Sequence, residues 1–178
     1  MKHIVIRGGH RLEGVLPVQG AKNSVLPILA ATILHPGTTV LRGCPRLSDV
    51  EASIRILRHL GCEARWQGEE LVVDASSVSR WDVPDHLMRE MRSSVIFLGA
   101  ILARLGKAEM SYPGGCELGP RPIDLHLSAL RKLGAAVEEK GGRLCCEAAA
   151  LEGREIALSL PSVGATENAM LAACGARG

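Results

Sequence analysis

Two features of the sequence carry chemistry. The first is a thiol in a segment rich in glycine and proline. Pro113-Gly114-Gly115-Cys116-Glu117-Leu118-Gly119-Pro120-Arg121-Pro122-Ile123-Asp124 holds three glycines and three prolines. Such a stretch reads as a long loop with special backbone needs, the kind of segment that commonly carries function. A free thiol ionises near about 8.5, and nearby cations draw that value down. With Lys22, Arg92 and Arg121 as its neighbours, Cys116 is a candidate acid, base or nucleophile. The alternative is a small inert residue. The second feature is a repeated cation: Lys22 stands two positions before Ser24, and Arg92 two positions before Ser94. Each falls beside an expected helix N-terminus, where the macrodipole penalises a positive charge by about 0.3–1 kcal/mol at exposed sites. A basic residue kept at two equivalent places suggests an anion drawn by both side chain and dipole, with a solvated surface charge as the competing reading. The matching third position is Gly164, within Ser162-Val163-Gly164-Ala165-Thr166, where backbone N–H groups can approach a ligand.

The elements that must position these residues follow from an internal repeat of roughly 70 residues. Ser24-Val25 through Leu57-Arg58-His59-Leu60-Gly61 resembles Ser94-Val95 through Leu130-Arg131-Lys132-Leu133-Gly134, and Gly43-Cys44 corresponds to Gly115-Cys116. Ser24 and Ser94 are expected to cap apolar helices over Val25–Leu34 and Val95–Leu105, stopped near Gly37 and Gly106. Strands follow at Thr38–Leu41 and Ala108–Ser111. Val50, Ile54 and Leu57 in one unit, and Ile123, Leu127 and Leu130 in the other, recur at helical spacing. Pro122 is expected at the first helical position and Arg121 at the cap. Two hairpins close the units, Glu63–Trp66 with Leu71–Asp74 and Ala136–Glu139 with Leu144–Glu147. Cys145 and Cys146 then point to opposite faces of one strand. Ala165–Gly178 aligns with Ser93–Gly106 and opens a third, truncated unit. Met1–Arg7 reads as a strand.

Composition narrows the function classes. The 178 residues are 47% hydrophobic and 22% charged, which excludes general disorder. Trp66, Trp81, Phe97 and Tyr112 are the aromatic residues, too few for base-stacking platforms, so nucleic acid is not an expected partner. The formal charge of +2 contains no long run of either sign, which leaves small anions as ligands. No stretch is apolar enough to span a bilayer, no secretory signal is present, and the expected location is the cytoplasm. The six cysteines show neither paired nor scaffold-like spacing, so reduced thiols are expected and structural zinc is unsupported. His59 and His126 fall on helices without paired metal ligands and read as surface or satisfied side chains. Dinucleotide and P-loop motifs are absent.

Gly20-Ala21-Lys22-Asn23, Arg92-Ser93-Ser94, Pro113-Gly114-Gly115-Cys116, Arg121-Pro122-Ile123-Asp124-Leu125-His126 and Ser162-Val163-Gly164-Ala165-Thr166-Glu167-Asn168 together resemble the UDP-N-acetylglucosamine 1-carboxyvinyltransferase family, the enolpyruvyl transferases of peptidoglycan synthesis. The resemblance covers the whole chain, which corresponds to less than half of a usual member, its N-terminal portion. It implies an α/β fold, an inside-out α/β barrel of helix-strand-helix-strand-strand units with sheets outward and helices inward. Residues 1–20 would then be strands of a mostly missing second domain. Residues 21–178 would form an incomplete catalytic domain, with units at about 21–90 and 91–161 and the start of a third at 162–178. The implied activity transfers the enolpyruvyl group of phosphoenolpyruvate to the 3-hydroxyl of UDP-N-acetylglucosamine, the first committed step of cell-wall biogenesis, with consequences for cell shape and division. No metal or organic cofactor is implied.

By the same resemblance Cys116 is the proton donor and the thiol modified by fosfomycin, while Lys22 and Arg121 hold phosphoenolpyruvate. Asn23 and Arg92 contact the sugar. The uridine diphosphate lies along Arg121, Pro122, Ile123, Asp124 and Leu125 and at Ser162, Val163 and Gly164. Leu160 departs from relatives that carry Lys there, and the second domain, which supplies an aspartate base and a further arginine, is missing. The fragment alone is therefore expected to be inactive. The alternatives are a non-catalytic fragment that at most binds nucleotide, and the sister transferase that forms 5-enolpyruvylshikimate 3-phosphate.

Overall fold

The computed structural model describes residues 3–112 and 122–178, and its elements form where apolar spacing and glycine stops demand them. Helix α1 spans Lys22–Ala31 and tightens into a 3₁₀ turn over Thr32–Leu34. Strand β1 (Thr38–Leu41) follows, then α2 (Ser48–His59), β2 (Glu63–Gln67) and β3 (Glu70–Asp74). The apolar stripe expected of α2 is real: Val50, Ile54 and Leu57 are all buried. A short strand β4 (Asp82–Val83) and helix α3 (Asp85–Glu90) come next, and a 3₁₀ turn at Arg92–Ile96 leads into α4 (Phe97–Leu105). The second half continues with β5 (Lys107–Ser111), α5 (Asp124–Lys132), β6 (Ala136–Lys140), β7 (Arg143–Glu147), β8 (Leu151–Glu152), α6 (Val163–Ala173) and β9 (Ala176–Arg177).

Among the described residues the strands form three sheets, ordered β1-β3-β2, β4-β5-β7-β6 and β8-β9. Antiparallel pairing holds each hairpin, with Gln67 opposite Glu70 and Lys140 opposite Arg143. The pairs β4–β5 and β8–β9 are parallel. Sheet faces alternate as the pleat requires, so that Leu71 and Val73 of β3 and Leu144 and Cys146 of β7 point into the core. Helix α4 is buried along its entire first part, from Phe97 to Leu102, because it packs on α6, on α1 and on β5. Phe97, Leu98, Ile101 and Leu102 join Leu29, Ile33, Ile54, Leu57 and Leu60 in one aliphatic core. Gly106 ends α4 in the left-handed region at φ 73°, where its N–H donates to the Leu102 carbonyl at 2.8 Å. Gly99 serves a different need: a Cβ there would run into the backbone and side-chain oxygens of Asn168, so α4 and α6 cross at near backbone contact.

Several expectations are corrected. Ser24 does not cap α1. The helix starts at Lys22 with Ala21 before it, and no side chain closes its end. Ser94 is buried and its Oγ donates to the Met88 carbonyl at 3.0 Å, because α3, whose six residues are too short to register as a period, runs directly beneath it. Pro122 does not open α5. That helix begins at Asp124 with Ile123 as the half-turn before it, and the expected cap at Arg121 lies outside the described residues. Residues 3–20 form no strand, since no sheet edge among the described residues pairs with them. The last helix, expected over Ala165–Ala176, runs instead over Val163–Ala173, and Ala176 enters β9.

Candidate functional site

Lys22 occupies the first residue of α1, with Asn23 exposed beside it. The local cost of a cation at that end is offset by a partner that sequence reasoning missed, for Lys22 Nζ lies 2.6 Å from Asp49 Oδ2 in the first turn of α2. Asp49 is itself well placed, as an acid at a helix N-terminus. Its only signal in the sequence was the Ser48-Asp49 helix start. Further along α1, Pro27 has no N–H to give the Asn23 carbonyl, so the regular helical bond to that oxygen is missing.

Arg92 opens the 3₁₀ turn ahead of α4, half-buried, and this turn packs against both α1 and α6. The other candidate residues gather where α5 and α6 begin. Pro122 and Asp124 are exposed, Leu125 is half-buried and Ile123 is buried. Ser162 caps α6, its Oγ accepting from the Ala165 N–H at 3.3 Å, and its carbonyl accepts from Thr166. The Val163 and Gly164 N–H groups then stand at the open end of the helix, without intrahelical acceptors. Gly164 faces His126 of α5: a Cβ at 164 would come within 3.3 Å of the imidazole Cε1 and 3.5 Å of Nε2. The start of α5 and the start of α6 are thus neighbours. The link is extended by Asn168, which lies one turn further along α6, wholly buried, and contacts His126 Nδ1 at 3.1 Å. His126 is therefore satisfied, as its sequence context suggested, and burial lowers its pKa while Asp124 opposes the shift. His59 is satisfied as well, 3.2 Å from Asp82.

Cys116 and Arg121 lie outside the described residues. Among the described thiols, burial pushes Cys62 up to about 12 and Cys146 up to about 11. Burial, with Glu51 assisting, also raises Cys44. Those three are poor nucleophiles at neutral pH. Cys145 and Cys146 do take opposite faces of β7. No cluster of His, Cys, Asp or Glu suited to a metal ion occurs among the described residues, and no described helix is long and apolar enough to cross a membrane. A shallow cleft beside β4, lined by Arg80, Trp81, Asp82, Pro84, Glu109 and Arg143, contains none of the candidate residues. Its charges neutralise one another, Arg80 with Asp82 and Arg143 with Glu109.

Residues 6–178 match the family described as EPSP synthase (3-phosphoshikimate 1-carboxyvinyltransferase). The chain belongs to this carboxyvinyltransferase family. Among its relatives, UDP-N-acetylglucosamine 1-carboxyvinyltransferase 2 of Caldanaerobacter subterraneus subsp. tengcongensis is 56% identical over 168 residues, which are 94% of this chain and 40% of that protein. UDP-N-acetylglucosamine 1-carboxyvinyltransferase of Dichelobacter nodosus is 45% identical over 97% of this chain and 42% of its own. The chain spans about 40% of the length of the curated carboxyvinyltransferases it matches. Among solved structures, EPSP synthase from Acinetobacter baumannii shares the fold at TM-score 0.70 and 20% identity, over 93% of this chain and 39% of that one. The enolpyruvyl transferase NikO from Streptomyces tendae matches at TM-score 0.67 and 26% identity, over 81% of this chain and 32% of its own.

Proposed function

We propose that this chain is the N-terminal portion of a UDP-N-acetylglucosamine 1-carboxyvinyltransferase that transfers the enolpyruvyl group of phosphoenolpyruvate to the sugar 3-hydroxyl. The observation that carries this reading is the 56% identity to the Caldanaerobacter relative bearing that name. The shikimate-type alternative is less favoured, because the Acinetobacter EPSP synthase is only 20% identical. In the proposed reaction the sugar 3-hydroxyl adds to C2 of phosphoenolpyruvate and passes its proton to the base of the second domain, while the Cys116 thiol gives its proton to the methylene carbon and is left as thiolate. Return of a proton from that carbon to the Cys116 thiolate, with departure of phosphate from C2 carrying the hydroxyl proton, then restores the double bond in the product. Lys22 and Arg121 hold the carboxylate and phosphate of the donor, and Asn23 and Arg92 contact the sugar. The uridine diphosphate lies along Arg121, Pro122, Ile123, Asp124 and Leu125 and against Ser162, Val163 and Gly164. Neighbouring starts of α5 and α6 support this last assignment, since oriented N–H groups at a helix N-terminus suit a diphosphate. The family resemblance implies no metal or organic cofactor and a cytoplasmic protein.

The architecture is read as repeated units of an inside-out barrel. Support comes from the matching sheet orders β1-β3-β2 and β5-β7-β6 and from β8-β9, which restates the β4-β5 pairing. Residues 1–20 belong in this reading to the second domain, consistent with the full exposure of Ile4, Val5, Ile6, Leu12, Val15, Leu16 and Val18. Leu160, two-thirds exposed, leaves one diphosphate contact unsupplied.

The decisive experiment is calorimetric titration of the chain with UDP-N-acetylglucosamine and, separately, with shikimate 3-phosphate. Heat of binding for the nucleotide sugar alone supports the assignment, and binding of shikimate 3-phosphate alone overturns it. Phosphate release by the isolated chain should remain far below that of a full-length relative, since acid, base and anion-binding groups must close around the reacting centre.

A further inference from the structure

Asn168 is wholly buried, yet every polar atom of its side chain is engaged across three helices. Its Oδ1 accepts the Gly99 N–H of α4 at 2.6 Å, and its Nδ2 donates to the Val95 carbonyl at 3.1 Å. These two contacts fix the amide orientation without reference to the histidine, because a backbone N–H can only donate and a carbonyl can only accept. The second proton of Nδ2 is thereby directed at His126 Nδ1, 3.1 Å away. Nδ1 must then accept, so it carries no proton, and the single proton of the neutral ring sits on Nε2. That edge of the ring lies against Gly164, at the open end of α6, on a side chain that remains partly exposed.

We infer that Asn168 is a positioning residue: it locks His126 as the Nε2–H tautomer, so that this N–H stands beside the Val163 and Gly164 amides as a donor to an anionic oxygen of a nucleotide diphosphate. The inference rests on the nucleotide site proposed above. It adds to that site a group reached through α4 and α6 rather than through the segment around Arg121. Burial of the imidazole, which favours its neutral form, acts in the same direction. The close crossing at Gly99 follows from the same requirement, since only a residue without Cβ lets α4 reach the Asn168 oxygen.

The test has two independent arms. Long-range ¹H–¹⁵N correlation spectra of the histidine-labelled chain, with the His126 signals assigned by their loss in His126→Gln, should show the Nε2–H tautomer at neutral pH. An Nδ1–H tautomer or a charged ring would overturn the role of Asn168. The second arm titrates UDP into the chain and two variants. Gln places its amide where Nε2–H stands, whereas Asn reaches only the Nδ1 position. His126→Gln should therefore bind UDP within about threefold of the parent and His126→Asn about tenfold more weakly, the loss of one charge-assisted hydrogen bond. The reverse order would mean that His126 acts only as a structural partner of Asn168 and would overturn the inference. No binding of UDP to the parent chain, with the Nε2–H tautomer present, would instead overturn the nucleotide assignment on which it rests.

Discussion

Lys22 and Asp49 meet at 2.6 Å, each in the first turn of its own helix. Their placements relative to the macrodipoles are opposite in sign: favourable for the aspartate, unfavourable for the lysine. Half of the Lys22 side chain is solvent-exposed, so the pair itself contributes only about 0.2–1 kcal/mol, close to the penalty it offsets. Lys22→Ala should therefore leave stability within about 0.5 kcal/mol of the parent in urea denaturation, while Asp49→Ala should cost about 1 kcal/mol. A loss of several kcal/mol on removing Lys22 would show it to be a structural residue and not an anion ligand.

The thiols should divide sharply by reactivity. Cys62 and Cys146, with pKa values near 12 and 11, and the raised Cys44 should react slowly with iodoacetamide at neutral pH. Cys116 should be the thiol that fosfomycin modifies in a full-length version of the protein. Peptide mass mapping reads both outcomes, and Cys116→Ser should abolish the fosfomycin adduct. Adduct formation at Cys44 or Cys174, with Cys116 untouched, would refute the assignment.

Two glycine replacements should be costly for different reasons. Gly106→Ala forces a Cβ into a left-handed residue at φ 73°, a cost of about 1–2 kcal/mol. Gly99→Ala drives α4 away from Asn168 and should cost at least as much, about 1–3 kcal/mol. It should also release the His126 tautomer, visible in the same nitrogen spectra, whereas Gly106→Ala should leave that tautomer unchanged.

Acid sensitivity should localise at the end of β3. Hydrogen bonds from the Ser76 hydroxyl, the Ser76 amide and the Thr38 hydroxyl hold Asp74 at about 2 instead of the ordinary 3.8. A carboxylate lowered on folding stabilises the native state above its unfolded value, and that contribution disappears as pH falls through the folded one. Asp74→Asn should thus be less stable than the parent at pH 6, with the difference fading between about pH 4 and pH 2. Thermal melts across that range supply the comparison.

The parts of the fold legible in the sequence were those with a period or an obligatory stop. The α2 stripe of Val50, Ile54 and Leu57 and the end of α4 at Gly106 are local consequences of helix geometry. The hairpins were equally plain, since β3 and β7 alternate as half-buried strands must. Ser24 and Ser94 misled because cap residues are identified by what surrounds them. Lys22 and Asn23 extend α1 past Ser24, and α3 gives the Ser94 hydroxyl a carbonyl elsewhere. Strands of two residues, β4 and β8, carry no period at all. At the candidate site, Lys22 and the starts of α5 and α6 were visible as charge and composition. Asp49 and Asn168 act through partners 27 and 42 residues away, Lys22 and His126, and no local pattern encodes such a pairing. Gly99 marks the close crossing of α4 and α6, but a glycine in an apolar run does not say which element approaches it.

The parallel pairs β4–β5 and β8–β9 each bind a strand laid down before a helix to one laid down after it, with Asp82 opposite Glu109 and Leu151 opposite Ala176. Arg143 of β7 reinforces the first pair by donating to the Val83 carbonyl at 3.2 Å. Cutting the chain anywhere between Val83 and Phe97 would therefore strip the edge from a sheet whose other strands all lie downstream of the cut. Pieces excised at the sequence period would each melt below the parent, and the intact chain should lose its sheets in a single cooperative transition rather than one after another.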